Sequence, residues 1–131
     1  MTQDPTDSGY RTRLDELRAS IRKLTGRQPA PMKAFAALHQ SALASGALDT
    51  KTKELIALAI AVAARCDGCI AYHTYDALRA GAGADEISET LSVAVLMGGG
   101  TAMVYATQAL EAMEQFEGEF DHGNHPKGVS Q

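Results

Sequence analysis

One segment of the chain, Leu55 to Ala64, is apolar at ten consecutive positions between the charged residues Glu54 and Arg65. The run is too short to span a bilayer, which needs about 20 residues. A helix formed by it would be apolar on every face, and such a helix must be surrounded by other helices or by a second subunit. We therefore predict a central, buried helix and the association of several copies of the chain.

Helical periodicity extends over most of the remaining sequence. Apolar residues recur at every third or fourth position, and the apolar runs end at glycines, which favour helix ends. Aromatic residues make up only 5% of the chain and tryptophan is absent, so the core must come from close helix packing. We predict an all-α fold with no strand. Its six helices are expected over residues 10–24, 32–45, 50–64, 67–80, 85–97 and 101–117.

The length of 131 residues fits one domain. Turn-forming and polar residues at both ends predict a flexible arm over residues 1–9 and a flexible tail over 118–131, around a helical domain over 10–117. The net charge of −4 and the scattered basic residues predict binding neither to nucleic acid nor to a membrane. The polar N-terminus carries no apolar signal segment, so we expect a reducing, cytoplasmic location.

The two cysteines form a Cys66-x-x-Cys69 motif, and His73 follows four residues after the second one. If a helix begins near Asp67, which would cap it, then both cysteines and His73 lie along one face. The unpaired N–H groups at a helix N-terminus stabilise a thiolate. His73, one turn after Cys69, is within reach of its proton. The motif thus predicts a nucleophile and a base.

Glu54 precedes Cys66 by twelve residues, which is about 18 Å along a straight helix and too far for proton transfer. If the chain instead folds back around residues 63–65, Glu54 comes level with His73 on the antiparallel helix. A buried carboxylate there would orient the His73 ring and stabilise its charged form. The alternative is that Glu54 completes a site on a neighbouring subunit.

Three other interpretations apply to these residues. Zinc accepts cysteine, histidine and glutamate ligands, but the chain has no second C-x-x-C pair, so we predict no metal site. A thioredoxin-type site would need a strand before the motif, and this region is predicted to be helical. Two inert, buried thiols are a third interpretation, which the helix end and the nearby histidine disfavour.

The full pattern is Glu54, eleven residues, Cys66, two residues, Cys69, three residues and His73. It resembles the signature of the alkylhydroperoxidase AhpD core within the carboxymuconolactone decarboxylase-like group. The flanking segments KTKELIALAIAVAARCDGCIAYHTYDALRAGAG and VAVLMGGGTAMVYATQALEA are similar to that group as well. The resemblance spans roughly residues 30–115.

The resemblance implies an all-α fold with a central helical hairpin carrying the motif, assembled as a homotrimer or homohexamer. It implies that Cys69 is the attacking thiolate, that Cys66 resolves the disulfide, and that Glu54 and His73 relay protons. The substrate would be a peroxide or a disulfide, and a dihydrolipoyl group on a partner protein would restore the dithiol without a bound cofactor. One position departs from the pattern: peroxidase members carry a second histidine where this chain has Gly68.

Two alternatives to a thiol oxidoreductase remain at this point. The first is a lyase of the carboxymuconolactone decarboxylase type, which acts on a cyclic lactone acid and does not need a dithiol. The second is a helical assembly module without catalytic activity, whose cysteines regulate or stabilise the oligomer.

Overall fold

The computed structural model describes residues 9–124, which form five helices and, within that range, no strand. The all-α prediction is confirmed. The helices are α1 (Gly9–Arg27), α2 (Pro29–Leu43), α3 (Thr50–Ala63), α4 (Asp67–Arg79) and α5 (Ala84–Asn124).

The predicted count of six differs from the observed five at α5. The helices predicted over 85–97 and 101–117 are the two halves of α5, which is interrupted at Gly99 with φ +77° and ψ −157°. This backbone region is essentially restricted to glycine, so the glycine stop predicted there is a kink inside one long helix. The second half also continues beyond residue 117, and residues 118–124 of the predicted tail are helical. The rest of that tail and residues 1–8 of the predicted arm lie outside the described residues.

The core lies where α3, α4 and α5 pack against one another. Its largest fully buried side chains include Leu58 of α3, Ile70 of α4, and Ile87 and Phe116 of α5. Helix α1 lies against α4 and α5 and adds Leu14 to this core. Helix α2, in contrast, contributes no buried residue. The central hairpin formed by α3 and α4 is therefore packed mainly against α5 and α1.

A tight turn joins the two helices of the hairpin. The Cys66 N–H donates to the carbonyl of Ala61 and the Arg65 N–H donates to the carbonyl of Val62, both at 3.1 Å. Arg65 has a left-handed backbone with φ +59°. This is the Schellman arrangement, which ends a helix abruptly and reverses the chain. The chain thus folds back within residues 63–65, where the sequence analysis expects the turn.

Many apolar side chains remain uncovered on α2, α3 and α5. Leu96 and Met97 are 79% and 78% exposed. By length and composition alone, α5 could span a membrane between Ala84 and Phe120, a test that core helices of soluble proteins also pass. Other exposed apolar residues include Phe35, Leu38, Ile56, Ile60, Val93, Met103 and Val104. The apolar run in α3 is accordingly covered on the side of α4 and α5 and open on the opposite side.

Candidate functional site

The two cysteines lie at the start of α4 and are joined in a disulfide, with their Cα atoms 5.2 Å apart. Cys66 is the N-cap residue, and its sulfur accepts a hydrogen bond from the Cys69 N–H at 3.2 Å. The prediction that Asp67 caps this helix is wrong, because Asp67 is already the first helical residue and the cap is a sulfur atom. A cap of this kind places the sulfur against the unpaired N–H groups that stabilise negative charge.

The two cysteines differ in their exposure. As whole residues, Cys69 is exposed and Cys66 is partly buried. This geometry favours Cys69 as the attacking residue, although Cys66 lies nearer the helix terminus.

His73 and Glu54 meet across the hairpin. The His73 Nδ1 lies 2.8 Å from the Glu54 Oε1, and the Glu54 side chain is only 5% exposed. If Nδ1 donates to the carboxylate in a neutral ring, Nε2 is the ring nitrogen without a proton, and His73 lies one turn after Cys69 on α4. Both residues belong to the same chain, so the pair forms without a neighbouring subunit.

Asp76 is a third ionisable residue at this position, and the sequence analysis missed it. It is 4% exposed, and its carboxylate lies within 4.8 Å of the donor atoms of Glu54 and His73. Its spacing of three residues from His73 puts it on the same helix face, but this spacing alone does not distinguish it from a solvated polar residue. Burial and the charge of Glu54 raise the pKa of Asp76 above its ordinary value.

His39 of α2 borders the same region, although the sequence analysis assigns it no role. Its ring is nearly parallel to that of His73 with a centroid separation of 6.1 Å, and it contacts Tyr72 edge-on at the same distance. The His39 Nε2 is buried and makes no hydrogen bond among the described residues. No local pattern indicates this contact, because it depends on how α2 packs against the hairpin.

Gly68 lies between the cysteines under α1. A Cβ atom at this position would be 3.1 Å from the Leu17 Cδ2, closer than most side-chain contacts. A side chain at position 68 would therefore require the end of the Leu17 side chain to shift by a few tenths of an ångström. The departure from the peroxidase pattern at Gly68 is thus coupled to the packing of α1 over the motif.

Glu54, His73 and Asp76 offer donor atoms of the types that metal ions bind. In this structure the His73 Nδ1 lies within hydrogen-bond distance of the Glu54 Oε1. The two sulfurs are bonded to each other and are not additional ligands in this state. A carboxylate paired with a histidine near a thiol is also an arrangement that can transfer a proton to and from that thiol.

The pattern of the carboxymuconolactone decarboxylase family matches residues 29–112, a range that includes α2, α3, α4 and the site. An uncharacterised protein of Cupriavidus necator is 41% identical over 100 residues, which is 76% of this chain and 88% of that protein. A protein of the cox locus of Paracoccus denitrificans is 41% identical over 85 residues, or 65% of this chain and 77% of the relative.

Two solved structures share the fold. A carboxymuconolactone decarboxylase family protein of Legionella pneumophila superposes with a TM-score of 0.81 at 42% identity, covering 84% of this chain and 98% of that one. A family protein of Thermotoga maritima, suggested to take part in an antioxidative response, superposes with a TM-score of 0.76 at 31% identity. That match covers 84% of this chain and 94% of the other.

Proposed function

The chain belongs to the carboxymuconolactone decarboxylase family, with an AhpD-like core, and on this premise we propose that it is a thiol-dependent oxidoreductase that reduces a peroxide or a disulfide. One observation carries the proposal. The exposed Cys69, paired with Cys66, lies one helical turn before a histidine whose ring is held by the buried Glu54. A nucleophile, a resolving thiol, a base and an orienting carboxylate are thus assembled within one hairpin.

The cycle begins with the reduced dithiol. His73 takes the proton of the Cys69 thiol, and the Glu54 carboxylate stabilises the resulting imidazolium, as the third member of a catalytic triad does. The N–H groups at the start of α4 stabilise the thiolate from the other side. The site therefore produces its nucleophile near neutral pH.

With a hydroperoxide, the Cys69 thiolate attacks the terminal oxygen and the O–O bond breaks. The proton held by His73 passes to the departing alkoxide, which leaves as an alcohol, and Cys69 becomes a sulfenic acid. The Cys66 thiol then attacks the Cys69 sulfur and displaces water. One peroxide and one dithiol thus yield one alcohol, one water and the Cys66–Cys69 disulfide.

The disulfide is restored by an external dithiol, which we propose to be a dihydrolipoyl group on a partner protein. One of its thiolates attacks the sulfur of the exposed residue Cys69, and Cys66 leaves as a thiolate. The second external thiol then attacks the external sulfur of the mixed disulfide, Cys69 leaves as a thiolate, and the external dithiol becomes a cyclic disulfide. The protein supplies no cofactor in this scheme, because the electrons pass through its own cysteines.

The antioxidative response suggested for the Thermotoga maritima relative agrees with this chemistry. A lyase of the carboxymuconolactone decarboxylase type is the alternative, and its reaction gives no role to a cysteine pair. The two are separated by measuring hydroperoxide consumption with dihydrolipoamide as the electron donor. Sustained turnover that is lost in Cys69→Ser supports the oxidoreductase, and turnover unchanged in Cys69→Ser would rule it out.

We propose further that the chain works in the cytoplasm as a homotrimer or homohexamer. The support is the amount of apolar surface on α2, α3 and α5 that one chain leaves uncovered, including Ile60 and Leu96. Helix α2 buries no residue in the isolated chain, yet it carries His39 to the edge of the site. Packing between copies would fix α2 in place.

A further inference from the structure

Asp76 is a buried carboxyl group for which the cycle above has no use. It lies three residues after His73 on α4 and is 4% exposed. Its carboxylate, the Glu54 carboxylate and a His73 ring nitrogen all lie within 4.8 Å of one another. Two acids and one base therefore share a small volume that is largely removed from water.

The charged groups around Asp76 come from three helices. Arg79 of α4 approaches the Asp76 Oδ1 with its Nη2 at 3.3 Å, but the Arg79 side chain is 66% exposed. Arg18 of α1 adds a second positive charge, and its guanidinium lies over the Tyr75 ring at 5.1 Å. Glu54 of α3 contributes the opposing negative charge. An exposed cation offsets only a small part of the cost of a buried charge.

The balance of these effects favours the neutral acid. Burial raises the pKa of the Asp76 carboxyl, and the charge of Glu54 raises it further, while Arg79, His73 and Arg18 lower it to a smaller extent. Two carboxylates this close titrate as a coupled pair, and the second charge forms only at a higher pH than the first. Of the two carboxylates, Glu54 is the one in direct contact with the His73 Nδ1, at 2.8 Å.

We propose that Asp76 is a positioning residue for His73. At low pH the Asp76 carboxyl is neutral beside the charged Glu54. As the pH rises it releases its proton, and the resulting carboxylate stabilises the imidazolium of His73. The added negative charge holds the proton on His73 under conditions in which that proton would otherwise be lost. The Cys69 thiolate and the His73 imidazolium then coexist over a wider pH range. The benefit to Cys69 rests on the proposed function, whereas the effect on His73 does not.

The test follows the His73 ring by NMR over a pH series in the reduced protein and in its Asp76→Asn variant, without substrate. Removal of an opposite charge within about 4–6 Å should lower the midpoint of His73 titration by about 1 unit or more. The control is Asp15→Asn, which removes an exposed carboxylate of α1 and should leave the midpoint unchanged. Equal midpoints in the wild type and Asp76→Asn would overturn the proposal.

A second measurement covers the case in which Asp76→Asn does not fold. The carboxyl carbon of Asp76 in the wild-type protein should titrate above the ordinary aspartate value of about 3.9, with a matching step in the His73 signal. A carboxyl that is ionised at all accessible pH values would overturn the proposal. Because neither readout involves turnover, an inactive protein that shows the His73 shift refutes only the proposed function. An active protein without the shift refutes only the role of Asp76.

Discussion

The His73 Nδ1 lies 2.8 Å from the Glu54 Oε1, although the two residues belong to different helices and are separated by a reversal of the chain. This contact depends on the turn at Arg65, which brings the start of α4 back along α3. The same turn places Cys66 at the helix cap. The backbone geometry of one short connection therefore positions both cysteines and His73.

Replacing Cys66 with serine should stop the cycle after its first step. Cys69 would still be oxidised, but no neighbouring thiol would displace the sulfenic acid. Mass spectrometry after one equivalent of hydroperoxide should show one added oxygen on Cys69, or an adduct with an added small thiol. An intermolecular disulfide through Cys69 would agree with this outcome, whereas an unmodified Cys69 would contradict its role as the attacking residue.

Replacing either member of the relay should slow formation of the thiolate. We expect His73→Gln and Glu54→Gln to lower the rate of peroxide reduction at neutral pH by about 100-fold, the range of general acid and base catalysis. The difference in rate from the wild type should become smaller at alkaline pH, because the Cys69 thiol then ionises without a base to take its proton. Glu89→Gln is the matched control, because Glu89 is exposed on α5. Equal rates in Glu54→Gln and Glu89→Gln would remove Glu54 from the mechanism.

The buried Asp76 should make stability depend on pH in a defined direction. Its pKa is raised in the folded protein, so its contribution to stability is complete below the unfolded value of 3.8 and declines as the pH rises through the folded value. Asparagine does not titrate. The free energy of unfolding of Asp76→Asn, measured in urea, should therefore improve relative to the wild type as the pH rises above 3.8. A relative stability that falls as the pH rises would show that the ionised Asp76 is stabilised in the fold.

The kink in α5 should require glycine at position 99. Its φ of +77° and ψ of −157° exclude other residues, while the space around a Cβ atom there is open. Gly99→Ala should thus lower the free energy of unfolding by about 1–3 kcal/mol through backbone strain alone. Gly100→Ala, one residue later, has open space and no positive φ, and alanine should be neutral or stabilising there. Equal effects at both positions would argue against the kink.

The uncovered apolar faces should control assembly. Leu96→Lys introduces a charge at a residue that is 79% exposed in the single chain, so it should leave the helical content unchanged. If α5 packs between copies, the variant should elute from a sizing column as a smaller species than the wild type. Ser88→Lys, at an exposed polar position on the same helix, is the control. The reduced and oxidised forms of the wild-type protein should elute at the same volume. An oligomer whose size depends on the redox state, in a protein without turnover, would instead indicate an assembly module.

The sequence was sufficient for the all-α fold and for the proximity of Glu54 and His73. Counting residues between Glu54 and Cys66 excludes a straight helix, and local hydrophobic periodicity identifies the helices that must then lie side by side. Helix termini were predicted less well. The cap of α4 is Cys66 and not the predicted Asp67, whereas the helix end predicted at residues 98–100 coincides with the non-helical backbone of Gly99 inside α5.

Asp76 and His39 show why the rest of the site was not predictable. Asp76 resembles any polar residue on an amphipathic helix until α1 and α3 are packed around it. His39 precedes Glu54 by 15 residues and Cys66 by 27 residues. No local pattern connects α2 with α4, where its ring lies beside that of His73. Both roles arise from tertiary packing, which periodicity and spacing do not describe.

The most direct test of the redox cycle is mass spectrometry of the reduced, metal-free protein after one equivalent of hydroperoxide, combined with a thiol titration against pH. The account predicts a thiol with a pKa well below that of free cysteine, about 8.5. It also predicts rapid loss of two hydrogen atoms per chain, with the new disulfide mapped to Cys66 and Cys69. Two thiols that titrate as free cysteine and survive the peroxide unchanged would contradict the account.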